Sequence, residues 1–150
     1  MRARVIGLGQ AAAGDDGVGL VVLERLRERG VPEGVELVRA SDDTALVPLL
    51  ETTVPVVLID AVLATPPGEV MELAPADLAR HGGGAVSTHG MGVPEAVELA
   101  HVLTPDAVSP SIRVVAVTIA RPARYEQRLS PAVAAAVPRA VEHVLALVGA

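Results

Sequence analysis

Three side chains in this 150-residue sequence stand where an α/β fold can do chemistry: Asp16, Asp60 and His89. Asp16 follows the run Arg4–Gly9 (RVIGLG) by way of Gly14-Asp15. Asp60 closes the apolar run Val56–Asp60 (VVLID), and His89 lies in Ser87-Thr88-His89-Gly90 ahead of a helical pattern. In open parallel sheets ligands bind beyond the carboxyl ends of the strands, so all three are expected around one crevice. Two carboxylates and an imidazole make an incomplete shell for a borderline or hard divalent cation, with positions left for water or a substrate. Each residue also fits a simpler role. Asp15 and Asp16 at a helix start would cap it and complement its dipole, worth about 0.3–1 kcal/mol each, and for Asp15 the cap is the expectation. Asp60 also fits a strand-end turn, and His89 a hydrogen-bonded loop. His81, His101 and His143 read as solvated surface histidines.

The elements that must position these groups alternate between the two periods. Arg4–Gly9 is a β-branched run ending in glycine, and Gly17–Arg29 follows as an amphipathic helix with Val18, Val21, Val22 and Leu26 on one face, stopped by Gly30. Val35–Ala40 (VELVRA) alternates as a second strand. Ser41-Asp42-Asp43 caps a short helix through Leu50, into which Pro48 falls. Val56–Asp60 is a central strand buried on both faces. Thr65-Pro66-Pro67-Gly68 is turn chemistry, so Glu69–Leu73 (EVMEL) returns as a fourth, antiparallel strand. A short helix over Ala74–Arg80 and a loop over His81–Thr88 come next, the loop carrying three consecutive glycines, Gly82 to Gly84, as a backbone that can move. Pro94 opens a helix to Leu103 with Ala96, Leu99, Ala100 and Leu103 inward. Ile112–Ile119 (IRVVAVTI) is the last strand. After the arginine-rich stretch Ala120–Leu129, Ser130-Pro131 supplies an N-cap and first-turn proline for a final helix to Val148. Without repeats or linkers, this pattern predicts one domain over residues 1–150. It is a three-layer α/β fold with a twisted, mostly parallel five-stranded sheet, one antiparallel strand, and helices on both faces.

Composition removes whole classes of chemistry. The chain has no cysteine and all twelve of its basic residues are arginine, so thiolate, zinc-ribbon, iron–sulfur, P-loop-lysine and Schiff-base sites have no residues to use. Any metal must be held by oxygen and imidazole. A net charge of −6 and 1% aromatic residues argue against a nucleic-acid surface. With 51% hydrophobic residues and a mean hydropathy of +0.47 the chain has ample core, yet no apolar run reaches the length of a membrane span. The missing cysteines and the absence of a signal-peptide core fit a cytoplasmic protein. A dinucleotide site after the first strand is disfavoured: the glycine spacing is not GxGxxG, and Asp15 and Asp16 occupy the helix start that a pyrophosphate would need. Neither GxSxG nor HExxH occurs.

Taken in order, five segments resemble the hydrogenase maturation protease family across nearly the whole chain. They are Gly7-Leu8-Gly9-Gln10, Gly14-Asp15-Asp16-Gly17-Val18-Gly19, Val56–Ala61 (VVLIDA) with Pro67-Gly68-Glu69-Val70, Ser87–Gly92, and Leu129-Ser130-Pro131-Ala132-Val133. The resemblance implies an endopeptidase that removes a short C-terminal extension from the precursor of a nickel–iron hydrogenase large subunit after nickel insertion. It carries the nickel-contacting positions onto Asp16, Asp60 and His89, the nickel being brought by the precursor. Asp16 or Asp60 would orient or deprotonate the attacking water, which is the sense in which such a peptidase is aspartic. Gln10 departs from the family's usual asparagine. A monomer is the expected state. Two other classes stay open: a nickel-responsive binding or chaperone module that uses the same three residues without cutting, and a nucleotide or S-adenosylmethionine enzyme built on the first loop. In the arginine-rich stretch, Arg121, Arg124 and Arg128 beside Tyr125 read as a solvated loop, with contact to the precursor as the rival role.

Overall fold

The β-branched runs pair into one five-stranded sheet in the order β2-β1-β3-β5-β4. The strands are β1 (Ala3–Leu8), β2 (Val35–Ala40), β3 (Val56–Leu63), β4 (Val70–Leu73) and β5 (Ile112–Ile119). The structure is a computed structural model and describes residues 2–10, 14–79, 92–121 and 128–149. β2, β1, β3 and β5 run parallel, and β4 returns antiparallel against β5, as the turn chemistry of Thr65–Gly68 requires. The helices are α1 (Val18–Arg29), α2 (Asp43–Leu49), α3 (Val93–Leu103) and α4 (Pro131–Leu147), with short 3-10 helices at Gly14–Gly17 and Pro75–Ala79. The helix expected over Ala74–Arg80 is the second of these 3-10 turns.

Strand alternation sorts the core into two layers. Val5, Val57, Ile59, Val115 and Val117 face α1 and α4, meeting Val22, Leu26, Val137 and Val144. Ile6, Leu58, Val114 and Ala116 face the other way, onto Leu46 of α2 and Ala96 and Ala100 of α3. α2 runs through Pro48 to Leu49, close to the expected bounds, with the proline on the exposed side of a two-turn helix. One expectation changes. Leu103, expected inward, is 62% exposed: the buried line of α3 passes through Val93, Ala96 and Ala100, and its last turn overhangs the core. At the far edge Arg113 donates twice to Glu72 Oε2, at 2.9 and 2.6 Å, and His143 Nε2 lies 3.2 Å from Glu72 Oε1, so β4 is fastened to both β5 and α4.

One contact sets how closely α1 can approach the sheet. A Cβ on Gly19 would stand 2.5 Å from the Ile59 carbonyl oxygen and inside van der Waals contact with that of Leu8. One on Gly7 would stand 2.7 Å from the Gly19 carbonyl oxygen. Helix and strand backbones therefore touch, and a methyl group cannot enter without moving α1 away from β1 and β3. Gly30, the C-cap of α1, is glycine for a different reason, since its φ is +91° and nothing lies near its missing Cβ. Gly19→Ala is expected to cost about 3 kcal/mol through overpacking, against about 1–2 kcal/mol of backbone strain for Gly30→Ala. Urea titrations of both variants check this, and equal losses would count against the close approach.

Candidate active site

The order of the strands reverses beside β1, which opens the sheet at one place. The chain passes from β1 through α1 to β2 on one side, then from β2 through α2 back to β3 on the other side. The carboxyl ends of β1 and β3 thus flank the crevice where such sheets bind ligands. Gly9 and Gln10, just after β1, meet the Gly14–Gly17 turn there. Gly9 has φ +132°, and a Cβ on it would meet the Asp16 carbonyl oxygen at 2.6 Å, while one on Gly17 would meet the Gln10 carbonyl oxygen at 2.9 Å. The two limbs of the loop touch backbone to backbone, and this holds Asp16, half-buried in the 3-10 helix Gly14–Gly17, against β3.

Asp60 is not the strand-end residue its run suggests. β3 continues to Leu63, and it is β1 that stops: the β1 register ends at Gly7 with Ile59, while β5 pairs on from Asp60 with Ala116 to Leu63 with Ile119. Asp60 is therefore the first β3 residue with no β1 neighbour, and its alternation with Leu58 and Val62 turns it to the α2 and α3 face. Its Oδ1 accepts from the Ala61 backbone N–H at 2.8 Å. Burial pushes the Asp60 carboxyl up to about 7; the Ala61 N–H opposes this, and the negative charges of Asp43 and Asp16 add to it. The Asp16 carboxyl is also raised, by burial first and by Asp15 second.

Asp15 does not cap α1. The N-cap of α1 is Gly17, with no side-chain bond. Asp15 is buried and its two oxygens are taken by Ser130 at the head of α4: Oδ1 accepts from the backbone N–H at 2.7 Å and Oδ2 from the hydroxyl at 2.8 Å. Asp43, read from sequence only as part of a helix cap, is close enough to raise Asp60. The capping oxygen belongs to Asp42, whose Oδ1 accepts from Ala45 N at 2.8 Å. The signal for Asp43 was its place just past the carboxyl end of β2.

The structure thus sets Asp43 and Asp16 near enough to Asp60 for their charges to raise it. His89 lies outside the described residues, as do the loop over 81–88 with its glycines, His81, Arg124 and Tyr125. Among the described residues no three His, Asp or Glu side chains gather to hold a metal ion. Asp16 and Asp60 could give a divalent cation two oxygen donors, too few by themselves to hold it. Arg121 and Arg128 are exposed, as is His101, whereas His143 is the half-buried partner of Glu72. No helix among the described residues is long and apolar enough to cross a membrane.

Comparison with known proteins agrees with this layout. The family model for hydrogenase maturation protease, HycI, matches residues 20–147. The chain belongs to the hydrogenase maturation protease family, a class of peptidases. The structure is similar to the hydrogenase maturating endopeptidase HybD from Escherichia coli, at 24% identity and TM-score 0.78 over 98% of this chain and 91% of that one. It is likewise similar to a second endopeptidase structure from Escherichia coli, at 26% identity and TM-score 0.78 over 97% and 91%. The [NiFe] hydrogenase maturation protease HybD from Thermococcus kodakarensis matches at 25% identity and TM-score 0.70 over 99% of both chains. Comparison with curated protein sequences gave no match.

The raised carboxyl has a consequence for stability. From the ordinary 3.8 up to about 7, folded Asp60 keeps a proton that the unfolded chain has lost. Its contribution to stability therefore falls as pH rises through that window and is level above it, and Asp16 adds with the same sign. In metal-free buffer Asp60→Asn, which stays neutral, should melt closest to wild type at about pH 4 and progressively further above it up to about pH 7. A Tm gap that stays constant or narrows with pH would exclude a raised Asp60.

Proposed function

We propose that this protein is a cytoplasmic endopeptidase that removes the C-terminal extension of a nickel–iron hydrogenase large-subunit precursor after nickel insertion. The observation that carries the reading is the pairing of Asp16 with Asp60 at the switch point of a sheet in a chain of this peptidase family. Asp16, Asp60 and His89 meet the nickel that the precursor presents. An open set of two carboxylates and an imidazole holds a free ion weakly, yet suffices to engage one already carried by a partner, so the site tests its substrate for nickel before cutting. Docking on that ion fixes the scissile peptide against the two carboxylates, and orientation of this kind supplies much of the barrier reduction in hydrolysis.

The remaining step is proton transfer. Water adds to the scissile carbonyl carbon, its proton passes to a carboxylate, and the proton then leaves with the departing amine as the C–N bond breaks. A carboxyl near 7 is matched to giving and taking a proton at neutral pH, which fits Asp60 for this work. Whether Asp60 serves as base or as nickel contact, it must be ionised in the free enzyme. The cleavage rate at low precursor concentration should therefore rise with pH to about 7 and then level.

Intact-mass spectrometry of a nickel-loaded precursor, before and after incubation, is the test. Wild type is expected to release one defined C-terminal peptide, nickel-free precursor to stay whole, and Asp60→Asn and His89→Ala to lose at least about a hundredfold in rate. An unchanged precursor mass with stable co-purification would replace the peptidase with a nickel-responsive binding module. Normal turnover by Asp60→Asn would remove Asp60 from the site.

A further inference from the structure

The segment Leu129-Ser130-Pro131 has no part in the chemistry above, yet Ser130 behaves unusually for its place. It is the N-cap of α4, with extended backbone (φ −64°, ψ 159°) and proline directly after it. A serine there ordinarily turns its hydroxyl onto an N–H of the first helical turn, a bond worth about 0.5–2 kcal/mol. Ser130 makes no such bond. Its hydroxyl donates to Asp15 Oδ2 and its backbone N–H to Asp15 Oδ1, so one buried carboxylate receives two charge-assisted hydrogen bonds from a residue 115 positions away.

We infer that Asp15 is a positioning residue for the site, clamped by Ser130, and that this clamp sets where the Asp16 carboxylate stands in the crevice. The inference rests on the reading of Asp16 as a site residue. Both sides of the clamp are packed against further backbone. The first turn of α4 is backed by the β3–β4 turn: a Cβ on Gly68 would lie 2.7 Å from the Ala132 carbonyl oxygen, and Arg139 Nη2 donates to the Gly68 carbonyl at 2.6 Å. That turn is fixed by Thr118, whose hydroxyl donates to the Pro66 carbonyl and accepts from Glu69 N, each at 2.8 Å. On the other side, Gly9 lies against the Asp16 carbonyl and Gly17 against that of Gln10, so the turn that carries Asp15 and Asp16 packs on the end of β1. Asp15 and Asp16 are consecutive in one turn of 3-10 helix, so a shift of the first reorients the second. Capping α4 locally would have stabilised that helix equally well; the bond made instead fixes a distance between α4 and the site.

Single-turnover cleavage of nickel-loaded precursor, with Tm measured alongside, separates positioning from stability. Asp15→Ala and Ser130→Ala are expected to lower the rate constant at saturating precursor about ten- to hundredfold with KM changed less than about twofold. The double variant should be no slower than Asp15→Ala, because one clamp is lost in each. Asp15→Asn can accept from the Ser130 N–H and donate to its hydroxyl, and should restore the rate to within a few-fold. Val144→Ala, buried towards the far end of α4, should lower Tm and leave the rate alone. If Asp15→Ala does not fold, Ser130→Ala and Asp15→Asn carry the comparison. A readout that needs no cleavage is the carboxyl carbon resonance of Asp16 in aspartate-labelled protein, assigned with Asp16→Asn: Ser130→Ala should move it and Val144→Ala should not. Clamp variants that lose Tm yet cleave at the wild-type rate, or a stationary Asp16 resonance, would overturn the inference. A wild-type protein that does not cleave would instead overturn the peptidase reading, leaving the resonance to decide the clamp.

Discussion

The contact of Gly19 with the carbonyls of Leu8 and Ile59 is the constraint on which the rest of the site hangs. It lets the α1 backbone lie directly on β1 and β3 at the level where β1 ends. Gly9 then lies against Asp16, and the 3-10 turn that carries this carboxylate packs on the flank of β3. A larger residue at position 19 would lift α1 and carry Asp16 away from Asp60. The pairing of two like charges, unfavourable by itself, is thus imposed by backbone packing and supported by the apolar layers beneath α1.

The site is built at a cost in stability that the fold absorbs elsewhere. Asp60 is a carboxyl in a central strand, on the sheet face that α2 and α3 cover, with Asp43 and Asp16 near enough to raise it. Burial of this kind favours the neutral acid, and the site is less negative at neutral pH than its residue count implies. Such residues stand out because local rules disfavour them, which is how functional positions often declare themselves.

Most of the architecture was legible because it is local. The β-branched runs, the 3.6-residue periodicity of α1 and α4, and the proline–glycine turn before β4 each carry their meaning within a few residues. The switch-point rule pointed to Asp16, Asp60 and His89 around one crevice; Asp16 stands near enough to raise the Asp60 carboxyl, and His89 lies outside the described residues. What the sequence did not reveal depends on relative register or remote contact. Asp60 looked terminal because an acid is costly in a central strand, and only the staggered end of β1 explains why β3 runs past it. Asp15 looked like a cap for the helix that follows it, since nothing nearby in sequence points to Ser130. Asp43 was hidden beside Asp42, which does make the cap.

α4 joins these parts mechanically. Its seventeen residues extend about 26 Å, from Ser130 beside the acidic loop to the far end of the sheet. Near that end Glu142 pairs with Arg29 of α1, and Arg2 donates to the Gly149 carbonyl at 3.0 Å. Between the two ends Val133, Val137, Val141 and Val144 are locked into the core. An acidic turn on the rim of a sheet would ordinarily fray on its own, with a small opening free energy. Here Asp15 is stitched to a core helix, so opening the Gly14–Gly17 turn means breaking its bonds to α4: the amides of that turn are expected to exchange more slowly than those of a free rim.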